Sequence, residues 1–200
     1  MTQDAREVMR DRKIEAIAVG GSAGAFEVVR AIISRLGGEL RMPIIVVLHL
    51  PARASGTIHE TLQWTSQVPL VLSDDKQPFT AGNVYFAPPG YHLLIESSRS
   101  AALSIDEPVM YSRPSIDVLF QSASDVYGPN LLGILLSGAS ADGAEGLQSI
   151  QLAGGTTVAQ NPDTCESSLM TRSALNLMTP DMVLSPAEIA SLVSDLACAQ

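Results

Sequence analysis

Ile14-Glu15-Ala16-Ile17-Ala18-Val19-Gly20-Gly21-Ser22-Ala23-Gly24-Ala25 begins as an apolar run and breaks into small residues around one serine. An amphipathic segment follows from Phe26. A short apolar run, a glycine cluster and a new helical period together predict a buried strand, a tight turn and a helix. Gly20-Gly21-Ser22-Ala23-Gly24 also fits G-x-S-x-G, in which a sharp strand-to-helix turn exposes a serine hydroxyl. Such a turn aims the N–H groups of the helix start at the same point, where they favour a developing oxyanion. On these residues alone, a plain glycine-rich turn and a phosphate loop stay open beside the nucleophile reading.

On the C-terminal side, Phe26, Val29, Ile33 and Leu36 recur at helical spacing, and Gly37-Gly38 ends that helix. Pro43 precedes Ile44-Ile45-Val46-Val47-Leu48-His49-Leu50, a β-branched run of the kind that forms a strand buried on both faces. Residues 55–64 read as a helix and 68–72 as a short strand. Between Pro78 and Asp106, short runs separated by Pro, Gly and Ser predict hairpin structure, an antiparallel insertion at one edge of the sheet. Pro114 opens a helix with Ile116, Val118, Leu119 and Val126 as its apolar positions. Residues 131–136 are the next buried strand, running into the small-residue loop Ser137 to Gly143 and another helix. A strand at 156–159, a helix at 168–177, a strand at 182–184 and a helix at 186–196 complete the chain. This alternation predicts an α/β fold: a doubly wound, mostly parallel β-sheet flanked by helices, with an antiparallel hairpin at one edge. Residues 1–13 read as a polar tail and 14–200 as a single domain.

Composition narrows the function. Hydrophobic residues make up 46% of the 200, which excludes a disordered chain. No apolar run reaches the length of a membrane span, and the charged N-terminus lacks the apolar core of a signal peptide, so a cytoplasmic location with no membrane insertion is expected. The net charge of −9 argues against nucleic acid, whose phosphates need a basic face. Cys165 and Cys198 suggest neither a disulfide framework nor a zinc site and are expected as free thiols.

Three strand-end loops stand out. Ser22 follows the first strand, His49 ends the second, and Asp142 lies just after the strand at 131–136. Ligands of open α/β sheets bind outside the carboxyl ends of the strands, where all three residues would sit. A serine needs a base to take its proton, and a carboxylate fixes the tautomer of that base. The chain order Ser, His, Asp differs from the Ser, Asp, His of α/β-hydrolases, which disfavours that fold. Each residue has a plainer alternative: His49 as a hydrogen-bonded strand end, Asp142 as the N-cap of the helix beginning at Gly143. His59 falls in a polar helix, and His92 falls in the hairpin region with no acid nearby in sequence. An acidic protein that meets an acidic partner needs local cations, and Arg53, Arg113 and Arg172 follow or precede the site loops closely enough to supply them. At least two of the three are expected on the rim that carries Ser22, with helix capping or local pairing as the alternative for each.

Six blocks carry a family resemblance: Gly20 to Ala25 after its strand; Leu48-His49-Leu50-Pro51; Ala87-Pro88-Pro89-Gly90-Tyr91-His92-Leu93; Arg113 to Phe120, RPSIDVLF; Leu136 to Gly146, LSGASADGAEG; and the segment from Ala159-Gln160-Asn161-Pro162 to Ala174. In this order and spacing they resemble the catalytic domain of the chemotaxis receptor methylesterases, the CheB family, over nearly the whole chain. The resemblance implies Ser22 as nucleophile, His49 as general base and Asp142 as its orienting acid. It implies hydrolysis of glutamyl methyl esters on the cytoplasmic helices of methyl-accepting chemoreceptors, with deamidation of receptor glutamines as a second activity and other chemosensory signalling proteins as further partners. It implies no metal and no organic cofactor.

There are departures. Ala23 stands at the oxyanion and substrate site where the family has threonine, and Ala25 stands where it has glycine. Ala139 replaces a methionine whose backbone amide serves the family's oxyanion hole, and a backbone donor survives that change. Thr171 replaces the proline after the late methionine, Met170. Thirteen residues before the first strand are too few for the receiver domain many members carry, so the expectation is a stand-alone methylesterase or an excised domain. The alternative function is a weakly active or non-catalytic chemosensory interaction module on the same fold. Dinucleotide binding fits poorly, because Ser22 stands where G-x-G-x-x-G needs its second glycine and His49 where an acidic strand end belongs.

Overall fold

A computed structural model describes residues 7–37, 39–49 and 58–198, apart from the side chains of Ile58 and His59. Its elements are β1 (Ala16–Gly21), α1 (Ala25–Ile33), β2 (Ile44–Leu48), α2 (Ile58–Gln63), β3 (Leu70–Leu72), β4 (Val84–Phe86), β5 (His92–Ile95), β6 (Ala101–Ser104), α3 (Ile116–Tyr127), β7 (Leu131–Leu135), α4 (Ala144–Leu152), β8 (Thr156–Gln160), α5 (Leu169–Leu177), β9 (Met182–Leu184) and α6 (Pro186–Ala197). Seven strands form one sheet in the order β3-β4-β2-β1-β7-β8-β9, with every pairing parallel.

The strands at the centre are buried on both faces, as their apolar runs predict. On one face, Ile17, Val19, Ile44 and Val46 pack under α1 and α6. The buried positions of α1, Ala25, Val28, Val29, Ile32 and Ile33, recur at i, i+3, i+4, i+7 and i+8, which puts them on a single stripe. On the other face, Ala18, Ile45, Val47 and Leu135 pack under Ile116, Leu119 and Phe120 of α3, Leu147 and Ile150 of α4, and Met170 and Ala174 of α5. Helix starts are chemically marked. Pro186 opens α6 behind a capping box of Ser185 and Glu188, and Ser115 caps α3. The cap at Ser115 moves the start of α3 to Ile116, two residues beyond the Pro114 that the sequence nominates. Met9, inside the expected tail, is buried against the α1 and α6 layer.

The predicted hairpin exists but is placed differently. β5 and β6 pair antiparallel as a separate two-stranded sheet, with Leu93 and Ile95 packed in the α3 layer, instead of extending an edge of the main sheet. Val84–Phe86, which reads as part of the hairpin region, is a parallel strand between β2 and β3. At three residues it is too short to show a period, and its neighbouring Pro and Gly imitate hairpin turns.

The sheet order fixes where a site can form. From β1 the chain passes through α1 to β2 on one side, whereas from β7 it passes through α4 to β8 on the other. The loops leaving β1 and β7 therefore diverge and open a crevice between adjacent strand ends, the switch point at which open α/β sheets bind ligands.

Candidate active site

The turn carrying Ser22 is held from three sides. The N–H of Ser22 donates to the carbonyl of Ser137 at 2.8 Å, and the N–H of His49 donates to the carbonyl of Gly21 at 3.0 Å. Because β1 and β2 run in parallel register up to Gly21 and Leu48, Ser22 and His49 are the next residues at neighbouring strand ends. Gly24 precedes α1 with φ of 80°, a left-handed conformation glycine adopts without penalty. The Ser137 hydroxyl donates to the carbonyl of Ala23 at 2.6 Å and accepts the N–H of Ser167 at 3.1 Å. The N–H of Ser137 is in turn taken by Oε1 of Gln160 at 3.0 Å. Gly138 runs directly beside the serine: a Cβ there would lie 3.0 Å from Ser22 Cβ and 2.4 Å from Met170 Cε. The Ser22 hydroxyl itself has no hydrogen-bond partner among the described residues.

Asp142, in the loop between β7 and α4, has 0% exposure. Its Oδ1 accepts the hydroxyl of Ser115 at 2.8 Å and the N–H of Asp117 at 3.0 Å, and its Oδ2 accepts the N–H of Ile116 at 2.8 Å. Asp142 therefore caps α3, not the helix that begins just after it. Its Oδ2 also lies 2.7 Å from Nε2 of His49. That contact is short but oblique, so Nε2 makes no well-directed hydrogen bond. Burial pushes the Asp142 carboxyl up, but His49, the two backbone N–H groups and Ser115 outweigh it and hold its pKa below the usual range. The second imidazole nitrogen, Nδ1, stands 3.3 Å from the hydroxyl of Ser112.

His92 is part of the same scaffold. Its Nδ1 accepts the N–H of Ser115 at 3.1 Å, which leaves Nε2 to donate to the carbonyl of Glu107 at 3.1 Å. It is 2% exposed and braces the turn that holds Asp142. Sequence reasoning passed over Ser112, Ser115, Asp117 and Ser137 and set His92 aside, although all five lie inside the quoted blocks or next to one. Their signal was there: short polar side chains inside otherwise apolar, tightly spaced loops.

The arginines divide. Arg53 lies outside the described residues. Arg113 donates through one guanidinium nitrogen to the carbonyls of Ile105 and Asp106 at 2.8 and 2.9 Å, which staples the loop after β6. Arg172 donates to the Ser168 hydroxyl at 3.1 Å and lies 3.5 Å from Asp163, with a side chain 59% exposed. Both make local contacts, and each belongs to a segment that borders the site, next to Ser112 in one case and near Met170 in the other. Ala139 is exposed in the loop after β7, and Ala23 is half-buried in the serine turn. Cys165 and Cys198 are free thiols.

A parallel α/β sheet with a serine turn, a histidine and a buried aspartate at adjacent strand ends belongs to the class of hydrolase-like doubly wound proteins. The profile of the CheB methylesterase family matches residues 17–193, and the chain belongs to that family. A Leptospira interrogans protein named "Putative protein-glutamate methylesterase/protein-glutamine glutaminase" is 43% identical over 178 residues, covering 89% of this chain and 92% of its own. A protein-glutamate methylesterase/protein-glutamine glutaminase of Hydrogenovibrio crunogenus is 34% identical over 173 residues, and there the match covers 85% of this chain but 46% of the relative. The crystal structure of the Thermotoga maritima CheB methylesterase catalytic domain superposes with a TM-score of 0.87 at 25% identity, covering 92% of this chain and all of that one.

Proposed function

We propose that this chain is a protein-glutamate methylesterase that works through Ser22, His49 and Asp142. The observation that supports the reading most is the 2.7 Å contact between the fully buried Asp142 and His49, which ends β2 beside the Ser22 turn. Nε2 of His49 faces the carboxylate, so it carries the proton, and Nδ1 is the nitrogen with a lone pair for the Ser22 hydroxyl. The 3.3 Å approach of Ser112 to that nitrogen marks the resting position of the ring. Apo hydrogen bonds of this kind are often loose and tighten once substrate is bound.

In the reaction, Ser22 Oγ attacks the ester carbonyl as its proton passes to His49, whose imidazolium Asp142 stabilises. The tetrahedral oxyanion is received by the N–H of Ala23 in the turn before α1, together with the backbone amide of Ala139. His49 returns the proton to the departing methoxide, methanol leaves, and water repeats the sequence on the acyl-enzyme to give glutamate. Glutamine side chains follow the same route with ammonia as leaving group. The proposed substrates are glutamyl methyl esters on the cytoplasmic helices of chemoreceptors, which places the protein in the cytoplasm. Among the described residues no helix is long and apolar enough to cross a membrane. Arg53, Arg113 and Arg172 are proposed as the cationic rim that meets the acidic receptor. The test is methanol release from methylated receptor membranes by this chain alone. Release that disappears in Ser22→Ala supports the reading, and no release from the wild type overturns it.

A further inference from the structure

The N-termini of α3 and α4 exchange caps. Asp142, just before α4, accepts the N–H groups of Ile116 and Asp117 at the start of α3. Asp117, in the first turn of α3, reaches back and its Oδ1 accepts the N–H of Gly146 in the first turn of α4 at 2.6 Å. Gly143, the N-cap of α4, has no side chain to do this, so the cap comes from the other helix. The two helices close tightly here: a Cβ at Gly146 would lie 3.0 Å from Asp117 Cα. The exchange sets two buried acidic residues side by side, joined by the 3.0 Å hydrogen bond from the Asp117 N–H to Asp142 Oδ1. Asp117 is 4% exposed and Asp142 0%.

We propose that Asp117 is a positioning residue for the site: as a neutral carboxylic acid it shares its proton with Asp142, and this lets Asp142 stay an anion aimed at His49. The inference rests on the proposed role of Asp142. Two buried carboxylates this close do not both ionise freely, because each disfavours the charge on the other. Asp142 has the stronger claim to the charge, with its ring of N–H and O–H donors and His49 beside it. Asp117 keeps the proton: burial pushes its pKa up to about 7, with Asp142 adding to the rise and the Gly146 N–H opposing it. Glu145, exposed in the first turn of α4, precedes the Gly146 that Asp117 caps. His49 at the end of β2 touches the far oxygen of Asp142, and His92 of β5 reaches the same turn through the Ser115 N–H. Among the described residues no lysine or arginine pairs with Asp117.

Loss of the Asp117 proton puts a second anion behind Asp142. It repels that carboxylate from its place, and His49 loses the contact that orients it toward Ser22. The wild type is thus expected to show a bell-shaped pH profile whose alkaline limb belongs to Asp117. Asp117→Asn keeps an oxygen for the Gly146 N–H and a donor for Asp142, but cannot ionise.

The experiment has two arms. Carbon-13 NMR of the aspartate carboxyls in the intact chain, assigned with Asp117→Asn, reads the proton directly and does not depend on turnover. A carboxyl titrating near neutral pH that vanishes in Asp117→Asn is expected, and a spectrum in which every aspartate titrates below pH 5 overturns the proposal. The second arm is kcat/KM on p-nitrophenyl acetate from pH 5 to 9 for wild type, Asp117→Asn and Asp117→Ala. A falling alkaline limb in the wild type, absent in Asp117→Asn, with Asp117→Ala at least tenfold slower than Asp117→Asn, is expected. Superimposable wild-type and Asp117→Asn profiles, or equal loss in both variants, overturn it. A wild type that fails to turn over any ester, while its Asp117 titrates near neutral, counts against the esterase reading and not against the shared proton.

Discussion

His49 and Asp142 meet at 2.7 Å between Nε2 and Oδ2, although 93 positions of sequence separate them, and the aspartate is sealed from solvent. The contact exists because β2 and β7 flank β1, so that their C-terminal ends open on the same crevice.

Asp142→Asn tests that contact. The amide nitrogen would confront the N–H donors of Ile116 and Asp117 or the imidazole, so the tautomer of His49 is no longer enforced. A fall in kcat on the order of 10³- to 10⁴-fold is expected, as for other triads that lose their acid. Because Asp142 also caps α3, the melting temperature is expected to fall as well, and both are read on one preparation by ester turnover and calorimetry.

Ser115→Ala removes the α3 N-cap and one donor to Asp142 while leaving the backbone N–H groups in place. A loss of about 1 kcal/mol in denaturant unfolding is expected. Turnover is expected to fall less than in Asp142→Asn, since His49 keeps its carboxylate.

The two carboxylates act in opposite directions on stability. The pKa of Asp142 is depressed in the fold, so its contribution is present above the unfolded value of ~3.9 and is lost as pH falls through the folded value. The pKa of Asp117 is raised to about 7, so its contribution is present below ~3.9 and drains away as pH rises from there toward neutrality. Urea unfolding at pH 5 and pH 8 is therefore expected to show Asp117→Asn gaining on the wild type at the higher pH. A constant difference between the two proteins would contradict this assignment.

Docking predicts a split between substrates. Arg172 is exposed and only weakly paired, so Arg172→Glu is expected to lower activity on receptor membranes, more strongly at low ionic strength, and to spare p-nitrophenyl acetate. Arg113→Ala is expected to cost about 1–3 kcal/mol of stability as well, through the two carbonyls it leaves without a charged donor. Equal effects of Arg172→Glu on both substrates would remove it from the docking surface.

The central strands and their order of appearance were readable because Ile44 to Leu48 and Leu131 to Leu136 are unbroken apolar runs, and a strand buried on both faces needs nothing else. Ser22 was readable from the glycines that its turn requires. Val84–Phe86 was not, since three residues carry no period and the partners that make it a parallel strand are remote in sequence. Asp142 was found, but its capping of α3 was not, because which helix an aspartate caps depends on how the loops cross. The same limit hid Asp117 and His92, whose partners lie 29 and 23 positions away. Arg113 drew attention for its charge, whereas its position depends on carbonyl groups that any sequence offers.

The measurement that tests the central claim most directly is mass-spectrometric mapping of the adduct formed with a serine-directed fluorophosphonate, because only an activated hydroxyl reacts quickly. Ser112, 3.3 Å from Nδ1 of His49, is the internal rival. Stoichiometric labelling on the peptide containing Ser22, abolished in His49→Ala, is the predicted result. Labelling at Ser112, or no labelling faster than that of the unfolded chain, would contradict Ser22 as the nucleophile.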